Sequence, residues 1–139
     1  MRQAQQSLTI QTRGKGLVEF TRDAAEWVRA QGISTGLLTV FCRHTSASLL
    51  IQENADPDVR ADLEAFFERI APEDHRLYIH QTEGQDDMPA HIRTALTQVQ
   101  LSIPVQAGRL ALGTWQGLYL FEHRSHPQRR DVVLHLVGE

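Results

Sequence analysis

Apolar and polar positions alternate with a period of two over residues 8–13 and resume over 17–20, after Gly14-Lys15-Gly16. That period puts one set of side chains on one face of a strand, and a glycine-rich turn between two such runs predicts a hairpin. The pattern then changes. Residues 21–30 predict a helix with Thr21 as its cap, Asp23 in the first turn where the dipole favours negative charge, and Gln31-Gly32 as its stop. Residues 36–44 predict a strand with Leu38, Val40, Cys42 and His44 on one face. Leu37 and Phe41 fall on the other, so both faces are expected to be covered. A polar turn over 45–47 leads into a strand over 48–52.

Asp56-Pro57 opens the clearest helix, because Asp caps well and proline at the first helical position gives up an N–H that has no partner anyway. Val59, Leu63, Phe66, Phe67 and Ile70 recur at helical spacing and are expected to face the core. A short strand over 77–79 and a polar loop over 82–87 follow. A third helix is capped by Asp87, Met88 or both, with Pro89 near its start and Ile92, Ala95, Leu96 and Val99 as its apolar stripe. The rest reads as strands over 101–106, 109–112, 118–122 and 132–137, with a turn at Ala107-Gly108. Helices do not alternate with every strand. The order therefore argues for an α+β fold with antiparallel pairing rather than a doubly wound sheet.

Length and composition narrow the function. A chain of 139 residues fits one domain spanning 1–139. Net charge is −3, which advertises no basic face for nucleic acid. No apolar run is long enough to span a membrane, residues 1–6 are polar with none of the apolar stretch of a secretory leader, and Cys42 stands alone. A cytoplasmic protein is the expectation. The sole lysine, Lys15, sits in a predicted turn, a poor place for a desolvated Schiff-base amine. No phosphate-binding loop, dinucleotide fingerprint, HExxH or CxxC occurs, so no nucleotide cofactor is expected.

Gly32-Ile33-Ser34-Thr35-Gly36 has the letters of a nucleophile elbow, but helix precedes and strand follows, the reverse of what that motif needs. Cys42 and His44 share a strand face and could form an activated thiolate; a buried cysteine filling the sheet is the plainer reading. The polar segments carry more. His44-Thr45-Ser46 ends a strand, Asn54, Asp56 and Asp58 open a helix, and His80, Glu83, Asp86, Asp87 and His91 occupy a loop and the next first turn. Three neutral imidazoles would suit zinc, and added carboxylates would shift preference toward magnesium or manganese. As helix opener, Asp56 also has a complete structural explanation. Gly113-Thr114-Trp115-Gln116-Gly117 is either a pocket wall or a bend between strands. Arg124, Arg129 and Arg130 could grip a phosphate or simply form a solvated loop.

Several separated blocks agree with one family. His44-Thr45-Ser46-Ala47-Ser48, the run from Glu53 to Val59, Ala90-His91-Ile92, Ser102-Ile103-Pro104-Val105 with Gly108-Arg109-Leu110, and the Gly113–Gly117 block resemble the signatures of the YjbQ family, whose attached activity is a weak thiamine-phosphate synthase. The resemblance implies a β-sandwich-like α+β fold with two or three helices, assembled as a homotrimer. It implies that His44, His80 and His91 gather with Asn54, Asp56 and Glu83 in one polar site, holding a divalent metal through the histidines. His44, Asp56 and Glu83 become candidate catalytic residues; Thr45, Ser46, Asn54, Trp115, Gln116 and Glu122 become candidates for substrate binding. Gln85 and Asp86-Asp87-Met88 depart from the family pattern, so specificity could differ if that loop touches a ligand. Three readings stay open: a transferase joining a pyrimidine pyrophosphate to a thiazole phosphate, a metal-dependent hydrolase of a small and perhaps phosphorylated molecule, and a non-catalytic trimeric module binding a small anion or metabolite.

Overall fold

The two N-terminal strands belong to different sheets. The computed structural model describes residues 1–139, and in it β1 (Arg2–Gln11) pairs with β8 (Arg129–Gly138), whereas β2 (Gly16–Glu19) pairs with β7 (Gln116–Glu122). The hairpin expected over 8–20 is therefore absent. Gly14 and Gly16 take φ of +134° and +141°, and the turn they permit carries the chain from one sheet to the other. The five-stranded sheet runs β1-β8-β3-β5-β6, with β3 at Gly36–Cys42, β5 at Gln100–Gln106 and β6 at Arg109–Leu110. The three-stranded sheet runs β2-β7-β4, with β4 at Ala47–Glu53. Every pairing is antiparallel. The fold is α+β, as the element order implies.

The core lies between the sheets. Leu38, Val40, Leu101, Ile103, Val105, Leu134 and Leu136 meet Ala47, Leu49, Leu118 and Leu120, and Ala24 and Val28 of α1 (Thr21–Ala30) join them. Strand alternation generates this set directly: Leu38, Val40 and Cys42 point inward, while Leu37 and Phe41 are 41% and 46% exposed on the outer face. That outer face is uncovered within one chain, contrary to the expectation of two covered faces.

The helices differ from their sequence readings in instructive ways. Thr21 does not cap α1; its hydroxyl instead bonds Glu19 and accepts the Leu118 N–H. α2 (Pro57–Ile70) starts as expected, with Asp56 accepting the Asp58 N–H at 2.9 Å. Its apolar stripe is only half-sunk, however. None of its residues is buried, and Phe67 reaches the body of the protein by an edge-on contact with Phe121. The segment expected as a strand over 77–79 holds a single 3-10 turn, His75–Leu77, capped by Asp74. α3 (Asp87–Leu96) turns inward a face the hydrophobic pattern did not select. Asp87, Pro89, Ala90 and Arg93 are buried while Leu96 is exposed. A buried charge persists only when paired, and both charged residues on that face are.

A candidate metal centre on the third helix

Helical geometry sets Asp87 and His91 four residues apart on one face of α3. The loop before it folds back so that His80 and Glu83 join them, and a ligand atom from each of the four lies within 4.8 Å of the others. His80 Nε2 lies 2.7 Å from Asp87 Oδ2, His91 Nε2 lies 3.1 Å from the same oxygen, and His80 Nε2 lies 3.7 Å from Glu83 Oε2. Ligands bonded at about 2.0–2.1 Å to one tetrahedral ion stand roughly 3.3 Å apart, and these separations bracket that value. The Asp87 side chain is 2% exposed, whereas that of Glu83 is 63% exposed, so the cluster is rooted in the protein and open to solvent on one side.

His91 Nδ1 lies 2.9 Å from the Thr45 carbonyl oxygen, which can only accept. The ring therefore keeps a proton on Nδ1, and its neutral form points the Nε2 lone pair at an Asp87 oxygen. Two acceptors in contact need a cation between them, either a proton or a metal ion. A carbonyl that fixes the far nitrogen of a histidine is also how proteins orient metal-binding imidazoles. Burial pushes the Asp87 carboxyl up. The His80 hydrogen bond and nearby positive charge, Arg124 included, outweigh burial and hold it below the usual carboxylate range.

Behind the cluster, Arg124 donates to Asp86 Oδ2 at 2.9 Å, to Asp87 Oδ1 at 2.7 Å and to the Glu83 carbonyl at 3.0 Å. Ser125 adds its N–H and hydroxyl to Asp86 Oδ2. Burial raises the Asp86 carboxyl, but these bonds and the Arg124 charge drive it far below its ordinary range. Arg130 is likewise spent, bonding both oxygens of Glu122 and the Ser46 hydroxyl. Neither arginine is left free to grip a phosphate.

The remaining predicted site residues fall elsewhere. His44 does not join His80 and His91. Its Nε2 accepts the Asp131 N–H at 2.8 Å, which leaves the ring proton of the neutral form on Nδ1 and no lone pair for a metal. Burial and the Arg130 charge push this imidazole down, which favours that neutral form. Thr45 meets the cluster through its carbonyl alone, and Ser46 is engaged by Arg130 instead. Glu122 is fully buried and saturated by Thr12, Arg130 and the His123 and Arg124 N–H groups, so it is a structural hub that no substrate reaches. Asn54, Asp56, Trp115 and Gln116 gather at the opposite end of the three-stranded sheet. The register pairs Glu53 with Gln116 at that end and Ala47 with Glu122 near the cluster, six residues or roughly 20 Å along the strand. There Gln116 Oε1 accepts the Gly113 N–H at 2.8 Å, and Trp115 stays 62% exposed, its carbonyl accepting the Asn54 N–H. The single polar site expected from sequence is thus divided between two ends of one sheet. Cys42 is buried against the Ala47 carbonyl, and burial pushes its thiol up, away from thiolate chemistry.

A hollow of about 280 Å³ lies beneath α2, lined in part by Lys15, Glu68, Phe67 and Arg93. Its lysine already bonds Glu68 and Glu73, so the convergent ligand atoms, not the hollow, mark the candidate site. Asp87 was the residue the sequence reading left out of the ligand set. Its four-residue spacing from His91 was the available signal, hidden by its other role as a helix opener.

An antiparallel two-sheet α+β domain carrying a His/carboxylate cluster on a helix start is the class these features define. The chain belongs to the UPF0047 protein YjbQ-like family, whose sequence model matches residues 6–139. It is 57% identical to UPF0047 protein sll1880 of Synechocystis sp., over 99% of this chain and 94% of that one. It is 43% identical to UPF0047 protein YjbQ of Salmonella typhimurium, over 97% and 98% of the two chains. Among solved structures, an uncharacterized conserved protein of the same family from Clostridium acetobutylicum superposes with a TM-score of 0.84 at 34% identity, covering 96% of this chain and 99% of its own. A hypothetical protein from Aeropyrum pernix superposes at 0.88 with 30% identity, covering 98% and 99%.

Proposed function

We propose that His80, Asp87 and His91 hold a divalent cation and that the protein is a metal-dependent hydrolase of a small molecule. The observation that carries this reading is the convergence of His80 Nε2 and His91 Nε2 on one buried Asp87 oxygen, at 2.7 and 3.1 Å, with Glu83 beside them. A bound divalent cation supplies Lewis-acid polarisation of a substrate oxygen and lets water lose a proton near neutral pH. Glu83, the most exposed member of the cluster, is placed to accept that proton. Thr45 holds the His91 tautomer, and the open side of the cluster admits the substrate.

Elemental analysis of untagged protein tests this. Near-stoichiometric zinc or manganese is expected in the wild type and in His44→Ala, and none in His91→Ala or Asp87→Asn. Wild-type protein that retains no metal after loading and desalting sinks the reading, and metal-loaded protein that stays blank across a broad hydrolase screen removes its catalytic half.

Synthesis of thiamine phosphate from a pyrimidine pyrophosphate and a thiazole phosphate ranks second. A departing pyrophosphate needs cationic stabilisation, and with Arg124 and Arg130 both committed to internal carboxylates the bound cation alone would have to supply it. The same metal-loaded sample, given both substrates, decides between the two by its product. A homotrimer in the cytoplasm is part of the proposal. The uncovered Leu37 and Phe41 supply apolar surface for subunit contact, and no helix is long and apolar enough to cross a membrane.

A further inference from the structure

We infer that Arg124 is a positioning residue that sets the metal preference of this site by forcing Asp87 to bind through one oxygen. The inference rests on the metal reading above and adds a role for a side chain that touches no ion. Arg124 Nη1 occupies Asp87 Oδ1 at 2.7 Å, so only Oδ2 faces the two imidazoles. The guanidinium cannot drift away from this position. Its Nε is held by Asp86 Oδ2 at 2.9 Å and its Nη2 by the Glu83 carbonyl at 3.0 Å, and Asp86 is itself fixed by the Ser125 N–H and hydroxyl. One planar fork therefore ties together the loop bearing Glu83 and the first turn bearing Asp87.

Two consequences follow for the ion. A carboxylate limited to one oxygen, with two imidazoles, matches the low coordination number of zinc; calcium and magnesium want more oxygens, and calcium often takes a carboxylate through both. The positive charge beside Asp87 also offsets part of the negative charge that hard, oxygen-seeking cations depend on. Removing the arginine frees Oδ1 and restores that charge. The site then shifts toward manganese and magnesium at the expense of zinc.

The test compares zinc and manganese affinities of the untagged wild type, Arg124→Met and Arg124→Lys by competition with a chromophoric chelator. Arg124→Met is expected to weaken zinc binding roughly 10–100-fold, the usual cost of losing a group that orients a ligand. Manganese binding should fall much less, so the zinc-to-manganese ratio narrows by at least about tenfold. Arg124→Lys keeps the charge without the fork, and it tests positioning should the methionine variant fail to fold. A narrowed ratio in Arg124→Lys supports the fork, and a wild-type ratio there overturns it. Cobalt gives a readout independent of affinity. The intense visible bands of a four-coordinate site are expected in the wild type and should weaken in both variants; unchanged bands overturn the inference. Wild-type protein that binds neither zinc nor manganese removes the metal reading itself, whereas metal binding with unaltered selectivity in the variants removes only the role of Arg124.

Discussion

His123 is buried with its Nδ1 unpaired, and its Nε2 meets Ser48 Oγ at 2.8 Å. Burial, helped by the charges of Arg93 and Arg130, pushes this imidazole down to about 3. In the unfolded chain it titrates near 6.5. Below about pH 6.5 the unfolded chain takes up a proton the folded one refuses. The stability His123 lends is therefore complete above that pH and drains as pH falls toward 3, by up to about 1.4 kcal/mol per pH unit. Urea unfolding of wild type and His123→Gln at pH 7.0, 6.0 and 5.0 should give a stability difference that shrinks as pH falls. These pH values, about 5 and above, lie over the range where Asp86 and Asp87 would add their own dependence. A difference constant with pH counts against this account. At the same scale, His80 and His91 fall on one short loop-helix unit, but their gathering came from the family resemblance, since an eleven-residue spacing carries no metal signature of its own. The exclusion of His44 was not legible, since it depends on a single hydrogen bond to Asp131, far along the chain.

Most strands were legible from alternation, but their partners were not always. The Gly14-Lys15-Gly16 turn has hairpin letters, yet β7 and β8, which claim the two arms, lie at the far end of the sequence. Local turn chemistry cannot report a competition with distant strands. The Ala107-Gly108 turn, by contrast, does join neighbours β5 and β6. Ala107 takes φ of +49°, a left-handed conformation that costs a residue with a Cβ about 1 kcal/mol or more. Ala107→Asn, a residue that tolerates this region, should raise stability by up to about 1 kcal/mol without altering metal content. A lower unfolding midpoint for this variant would mean the turn is held by something other than its own backbone preference. Gly138 and Gly36 mark the tightest strand contact, where an added Cβ on either would overlap backbone of the other's segment. Such glycines read from sequence as mere strand ends.

At the scale of the molecule, the α+β class and single domain followed from element order and length, because these depend on patterns that any packing must satisfy. The division of the candidate residues between two ends of the small sheet did not follow, because strand register decides it. The outer face of the larger sheet carries Leu37 and Phe41 into solvent within one chain. Light scattering should return three times the 15.8 kDa chain mass for the wild type, and Phe41→Glu, which sets a charge on that face, should lower it toward a single chain. A wild-type monomer removes the trimer; a trimeric Phe41→Glu moves the contact to another surface.

The pairing of Arg2 with Gly138 at one end of the β1–β8 ladder and Gln11 with Arg129 at the other has a consequence for how the chain is made. β1 is an edge strand whose only neighbour is β8. β1 leaves the ribosome before β8, so it waits without its partner while the elements between them are made. An apolar strand left waiting would recruit other nascent chains. β1 is polar over its first half, with Arg2, Gln3, Gln5 and Gln6, so it offers little apolar surface for such pairing while the ladder is open.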